Sequence, residues 1–405
     1  MEVAMGTIEV PRPASFPATC DVVIIGGGIV GCASAFYLSR AGLRTIVLER
    51  RPALATLTTA VSQECFRAQF TEPESIRMML ESIAVYAEFA QEVGLAGLDI
   101  GLRQQGYLFL TGSDAGALKL AHCVGGQHRA GLRDVELLTS SEVRVRFPFV
   151  SPLVAGAAYR AKDGWLAVHE VVHGFARGST ASFLLQTEAI AIKRDHAGVC
   201  GVETQRGMVW TRCLVIAGGP FSGVLGRMAG VDLPLSVIRR QKVVVADVPE
   251  APPQAPMVVD ADTGVYWRPE VGGAAMGWAT PEPPGEPLET VVADWTFPAV
   301  VLDAAARLVP LWEGVAEGLT RDQVFPSAGQ YTCTPDNKPI IGPSWQVPGL
   351  YFNVGYSGHG IMGSPAGAKT LTRLIMHPEE DRGNPFSSVR AALSARPEIV
   401  EGIVL

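Results

Sequence analysis

The chain has 405 residues, 48% hydrophobic and 18% charged, with a formal net charge of −7. That balance describes a globular protein with ample core for two or three folding units, outside the disordered class. An acidic chain argues against an electrostatic nucleic-acid binder, and no run of about 18 apolar residues is present to span a membrane.

The first 19 residues carry acids and three prolines where a signal peptide would need an apolar core, so they are expected to form a flexible tail. Seven cysteines are scattered without a C-x-x-C pair, which fits reduced thiols and a cytoplasmic protein. Residues 21–51, DVVIIGGGIVGCASAFYLSRAGLRTIVLERR, then read as strand, glycine turn, helix and strand. Gly26 allows the turn, Gly28 lets backbone N–H groups approach a pyrophosphate, and Gly31 lets the helix pack on the strand. The helix N-terminus adds partial positive charge for the phosphates. Glu49 ends the second strand 18 residues after Gly31, where a ribose would lie. A bound dinucleotide is the reading.

Further along, residues 72–93 have helical spacing and predict one long helix, 106–110 a strand, and Asp114–Arg129 a helix. Ser140, Ser141 and Glu142 look like a helix start, and residues 168–183 show another 3.6-residue rhythm. Strands are expected at 189–192, 201–204 and 213–216, the last delivering Ala217, Gly218 and Gly219 to the edge that holds the first glycine loop. Residues 235–277 alternate and predict an antiparallel sheet, and 281–287 a Pro/Glu-rich surface loop. After a strand at Leu350–Val354 comes the loop GYSGHGIMG, with Ser364 and Pro365 reading as the N-cap and first residue of a final helix. The expected class is α/β, α+β overall. A discontinuous nucleotide domain (20–97, 161–234, 330–376) would hold an inserted substrate domain on an antiparallel sheet (98–160, 235–329), with a C-terminal extension (377–405).

The glycines alone do not separate FAD from NAD, but one G-x-G-x-x-G is read and no second, so a nicotinamide site in the same chain is not expected. The segments QECFRAQFTEPESIRMMLESI, CLVIAGGPFS, VYWRPEVGGAAMGW and TPDNKPIIG through GYSGHG, in this order after DVVIIGGGIVG…LER, resemble the D-amino-acid oxidase superfamily of flavoproteins. The likeness is to sarcosine oxidase and glycine oxidase types, including sarcosine oxidase beta-subunit-like members, over residues 20–376. It implies a Rossmann-like FAD-binding domain of the glutathione-reductase type. It also implies that Gly26, Gly28, Ile29, Val30 and Gly31 hold the FAD pyrophosphate and Glu49 the ribose. Arg50, Arg51 and Ala189 would then lie by the adenine, Ala217, Gly218 and Gly219 under the nucleotide, and Gly358, His359, Gly360, Ile361 and Met362 around the flavin edge.

The same resemblance makes Arg67 the grip on a substrate carboxylate, a task that suits its bidentate fork. Tyr266 and Arg268, at i and i+2 of one strand, would line the substrate face, and His359 would touch the flavin without acting as a base. Gly329 stands where the monomeric sarcosine oxidase pattern has a flavin-linked cysteine, and Cys333 falls elsewhere, so FAD is expected to be non-covalent. Ala275 and Met362 stand where that pattern has lysines, so a second carboxylate contact is missing or supplied from elsewhere.

His169-Glu170-Val171-Val172-His173 spells H-E-x-x-H. The helix is a packing element with no evident third ligand, and no metal is expected. The expected activity is FAD-dependent oxidation of the C–N bond of a small amino acid or N-alkyl amino acid to an imine that hydrolyses, with oxygen or another acceptor taking the electrons. The alternatives are oxidation of a 2-hydroxy acid, or a flavin-binding subunit or assembly factor acting with a partner chain.

Overall fold

The computed structural model describes residues 5–12, 16–270 and 272–393. All four residues of Val22–Ile25 are buried, and so are those of Thr45–Leu48, the continuous apolar signature of strands covered on both faces. They lie at the centre of a seven-stranded sheet ordered Thr7–Glu9, Ser182–Leu184, Thr45–Leu48, Val22–Ile25, Leu214–Ile216, Leu350–Val354, Ile340–Pro343. The pairs are parallel except the last, which is antiparallel. The helix Ile29–Arg40 packs on this sheet, and against it lie the last helix, Gly360–Met376, and the helix Val168–Gly178.

A second sheet of eight strands runs Val324–Cys333, Ser236–Val245, Gly273–Trp278, Val265–Glu270, Met257–Asp260, Tyr107–Thr111, Gly156–Arg160, Glu136–Thr139. The strands within 235–277 pair antiparallel as expected, and the one parallel pair, Met257–Asp260 with Tyr107–Thr111, joins them to the rest of the sheet. One face buries Val243, Val245, Trp267 and Met276 in a core shared with the helices Phe297–Ala306 and Leu311–Gly318. The other face carries Tyr331, Gly329, Arg240, Lys242, Gly277, Tyr266, Met257 and Tyr107, because cross-strand partners share a face and alternate residues return to it. That face roofs the cleft described below.

Four local expectations give way to tertiary structure. The 1–19 segment is not a loose tail throughout its described part, since Thr7–Glu9 pairs with Ser182–Leu184 and satisfies an otherwise open sheet edge. The 72–93 helix is two, Pro73–Ala87 and Phe89–Glu92, broken at Glu88 (φ −118°), which turns Phe89 edge-on to Phe175 at 4.9 Å. The helical rhythm of 168–183 stops at Gly178, and Ser182–Leu184 pairs in the sheet instead. Ser364 is not an N-cap: the last helix opens four residues earlier, and Pro365 lies inside it. The carbonyl of Ile361, which loses its i+4 donor to that proline, accepts from the Ser364 hydroxyl at 3.4 Å and from the Tyr86 hydroxyl. The helix can therefore begin at the glycine loop itself. Within the described part of the 377–405 extension, Arg390 forks onto Asp336 at 2.7 and 2.8 Å and fastens it to the TPDNKP turn.

Candidate functional site

A long cleft runs from the carboxyl ends of the parallel strands to the roof sheet. At its nucleotide end, a Cβ on Gly31 would sit 1.9 Å from the Gly26 carbonyl oxygen and one on Gly26 (φ +117°) would sit 2.4 Å from that of Ala217. Both positions are held by close backbone packing. Gly28 differs: its Cβ would point into the cleft, meeting only Thr59 Oγ1 at 3.4 Å. The cradle expected for a pyrophosphate is therefore open, at the N-terminus of the helix Ile29–Arg40.

Glu49 secures this loop. Its Oε2 accepts from Gly27 N at 2.7 Å and its Oε1 from Arg51 N at 2.8 Å. Burial pushes the carboxyl above its ordinary pKa, against those two N–H groups, which hold it down. Arg50 stacks 3.8 Å from the centre of the Phe221 ring and pairs with Glu289 at 2.6 Å, and Arg51 meets the same Glu289 at 3.0 Å. Glu289 belongs to a strap that follows the expected 281–287 surface loop, and the strap is stitched to the roof by Leu288 N to Gln330 Oε1 (2.8 Å) and Asp294 N to Gln241 Oε1 (2.6 Å). The sequence gives no sign that this loop crosses to the nucleotide side.

Ala189, Ala217, Gly218, Gly219, Ile29 and Val30 also line the cleft, as do Gly358, His359, Gly360, Ile361 and Met362 at the far end. Gly31 lies behind the wall, packed on Gly26. Gly358, Gly360 and Gly363 repeat the spacing of the first loop where the last helix starts, a second G-x-G-x-x-G that the sequence reading passed over.

Arg67, Tyr266 and His359 come together at the roof end, and Arg268 does not join them on the cleft wall. Arg67 is 0% exposed; its guanidinium carbon lies 4.0 Å from the Phe70 ring centre, and Nη1 donates to the Gln69 carbonyl. His359 is buried edge-on to Phe70 at 5.0 Å, and burial together with the Arg67 charge lowers its pKa to about 3. It is a neutral imidazole at physiological pH. Tyr266 fills the space that a side chain at Gly277 would take, and burial lifts its phenol well above the ordinary value, so it stays protonated. Arg268 instead donates to the carbonyls of Gln63 (3.1 Å) and Pro269 (3.0 Å) and pairs with Glu270 (2.7 Å) and Glu64 (3.5 Å). It braces the 55–64 segment, whose ends, Ala55 and Glu64, are both held at positive φ (56° and 61°). Strained backbone of this kind concentrates at functional sites.

Sequence reasoning missed Thr59, whose hydroxyl accepts from Ile29 N at 3.3 Å, and Tyr331, Arg240 and Lys242 on the roof. The threonine run after LERR was a usable signal for the first. Strand register, invisible without the structure, places the others. Gly329 packs against Val61, and His169 and His173 are exposed on their helix, where no group of three or more metal-ligating side chains occurs among the described residues.

An elongated cleft with an open glycine turn at one helix N-terminus and a second helix N-terminus at its far end has the form of a dinucleotide-binding site. Residues 21–374 match the FAD-dependent oxidoreductase (DAO) family, and the chain belongs to that family. It is 26% identical to FAD-dependent oxidoreductase domain-containing protein 1 of Xenopus laevis, over 89% of this chain and 80% of that protein. It is 26% identical to mitochondrial sarcosine dehydrogenase of Homo sapiens, over 94% of this chain and 43% of that much longer protein. Glycine oxidase from Geobacillus kaustophilus superposes with a TM-score of 0.78 at 26% identity, covering 92% and 99% of the two chains. L-Proline dehydrogenase from P. horikoshii superposes at 0.82, with 23% identity over 94% and 100%. The protein is thus an FAD-dependent oxidoreductase. Among the described residues no helix is long and apolar enough to cross a membrane.

Proposed function

We propose that this enzyme oxidises the C–N bond of a small amino acid or N-alkyl amino acid, giving an imine that water hydrolyses to a carbonyl compound and the free amine. The carrying observation is Arg67, a fully buried guanidinium on the cleft wall beside Tyr266 and His359. A cation kept out of water suits a carboxylate, and the fork fixes its orientation. The 26–31 loop, Glu49 and the 358–362 loop would hold FAD, which when bound would supply a two-electron acceptor for the amine oxidation.

The chain's own groups do the rest. Arg67 fixes the carboxylate end, and Tyr107, Met257, Tyr266 and Tyr331 give the roof end of the cleft a largely apolar lining. His359 and Tyr266 are both neutral and place no competing charge beside the amine. A neutral amine carries its own lone pair into the new C=N bond, so no strong protein base is required. With glycine at 329 and Cys65 pushed up in pKa by burial, the cleft offers no ready thiolate, which supports non-covalent FAD. The seven free cysteines support a reducing compartment such as the cytoplasm. Anaerobic mixing with a panel of amino acids, N-methyl amino acids and 2-hydroxy acids should bleach the flavin absorbance with amines alone; bleaching only by hydroxy acids would refute the reading.

A further inference from the structure

Three basic side chains enter the roof end of the cleft: Arg67, Arg240 and Lys242. The charge near Lys242 is already balanced. Arg268 stands between Glu64 and Glu270, a trio with one surplus negative charge. Lys242 faces it with Nζ donating to the Ser62 carbonyl at 2.6 Å; burial lowers its pKa while Glu64 holds it up. Two cations and two anions cancel there.

Arg240 has no such balance. Its Nη1 donates only to the carbonyls of Arg239 (3.0 Å) and Thr280 (3.2 Å), and its buried Nε has no hydrogen-bond partner. No carboxylate comes within 4 Å of it among the described residues. Register puts it opposite Gly329, with its guanidinium carbon 5.8 Å from the Tyr331 ring centre, on the face that also presents Tyr266. A half-buried guanidinium with unspent donors and no acid nearby is an incomplete site, and its fork fits a carboxylate.

We propose that Arg240 receives a second carboxylate of the substrate, so that the enzyme prefers amino or imino acids bearing two carboxylates, one held at Arg67 and the other at Arg240. This rests on the amine-oxidation reading and on Arg67 as the first anchor. Negative charge on the cofactor is the other source of the same chemistry, and the experiment separates the two.

The oxidised holoenzyme is titrated with two thioethers that have no C–N bond, thiodiacetate (two carboxylates) and (methylthio)acetate (one), following the flavin band. Thiodiacetate should bind at least tenfold more tightly. In Arg240→Met that ratio should fall by about ten- to a hundredfold, the usual loss for a hydrogen bond to a charged group, and Arg240→Lys should restore part of it. Equal affinity of the wild-type enzyme for the two ligands overturns the proposal, whether or not the variant retains FAD. So does an Arg240→Met enzyme that keeps the ratio but shifts the midpoint potential of the flavin, because the residue then serves the cofactor. Bleaching by iminodiacetate and sarcosine is read alongside. If neither bleaches while the thiodiacetate preference holds, the oxidation reading fails and the anion subsite stands. If sarcosine bleaches and no dicarboxylate preference exists, the subsite alone fails.

Discussion

Two glycines of the first loop should fail in different ways when replaced by alanine, and the contrast tests how the cofactor is held. At Gly31 the new Cβ would lie 1.9 Å from the Gly26 carbonyl oxygen and 3.0 Å from its carbonyl carbon, both backbone atoms that cannot rotate away. Overpacking of this kind costs about 1–3 kcal/mol or more, and the apoprotein itself should lose that stability. At Gly28 the backbone (φ −78°, ψ −177°) is extended and open to any residue, and the Cβ meets only Thr59 Oγ1 at 3.4 Å. The apoprotein should therefore stay within about 1 kcal/mol of wild type, the gain from a stiffer unfolded chain offsetting a poorer helix cap. The methyl instead occupies the space that the diphosphate must approach. A penalty of about 1–3 kcal/mol there weakens FAD binding by roughly ten- to a hundredfold. The assay is thermal unfolding of the stripped protein, followed by FAD titration with flavin fluorescence. FAD affinity of Gly28→Ala within twofold of wild type, or equal apoprotein stability of the two variants, would refute this account of the loop.

Two further outcomes follow from charges at opposite ends of the cleft. His359 stays neutral in the folded protein down to about pH 3, whereas an unfolded histidine titrates near 6.5, so unfolding takes up a proton between those values. The stability it contributes is intact above pH 6.5 and is lost as pH falls, by up to about 1.4 kcal/mol per unit. Urea unfolding between pH 4 and 7 should show a shallower decline for His359→Asn than for wild type, and identical slopes would count against the buried imidazole. Glu289→Gln should speed FAD release and remove much of its salt dependence, since this exposed carboxylate ties both Arg50 and Arg51 to the strap; stopped-flow release into an excess of an FAD-binding apoprotein at low and high salt measures it.

What could be read in the sequence divides along a physical line. The nucleotide end was legible because its parts are contiguous: the turn glycines, the helix start and Glu49 fall within one βαβ unit, and local backbone rules fix them. Asp114–Arg129 and Leu350–Val354 were legible for the same reason, as strong periodic runs bounded by turns. The errors lie where distant chain decides. Thr7–Glu9 became a strand because Ser182–Leu184 left an edge beside it, and Ser364-Pro365 failed as a helix start because Tyr86, far away in sequence, helps satisfy the carbonyl that the proline leaves open. Arg268 shares a strand face with Tyr266, as its i+2 spacing requires, yet Glu64 and Glu270 draw its guanidinium off the cleft wall.

The same division separates what is common to a cofactor site from what is particular to a substrate. The loops at 26–31 and 358–362 each present backbone N–H groups at a helix start, and backbone recognition tolerates wide change in the side chains around it. The roof works through side chains, and which of them face the cleft is set by pairing across eight strands: Arg240 beside Gly329, Lys242 beside Gly277, and Gly277 beside Tyr266. A slip of one residue in the strand Ser236–Val245 would turn Arg240 and Lys242 into the Trp267 core and bring Gln241 and Val243 over the cleft. Arg240 and Lys242 could not stay in that core without partners, because Trp267, Met276, Val301 and Trp312 offer them no carboxylate. The hydrophobic core on one face of the sheet thus holds the register that decides which side chains face the cleft on the other.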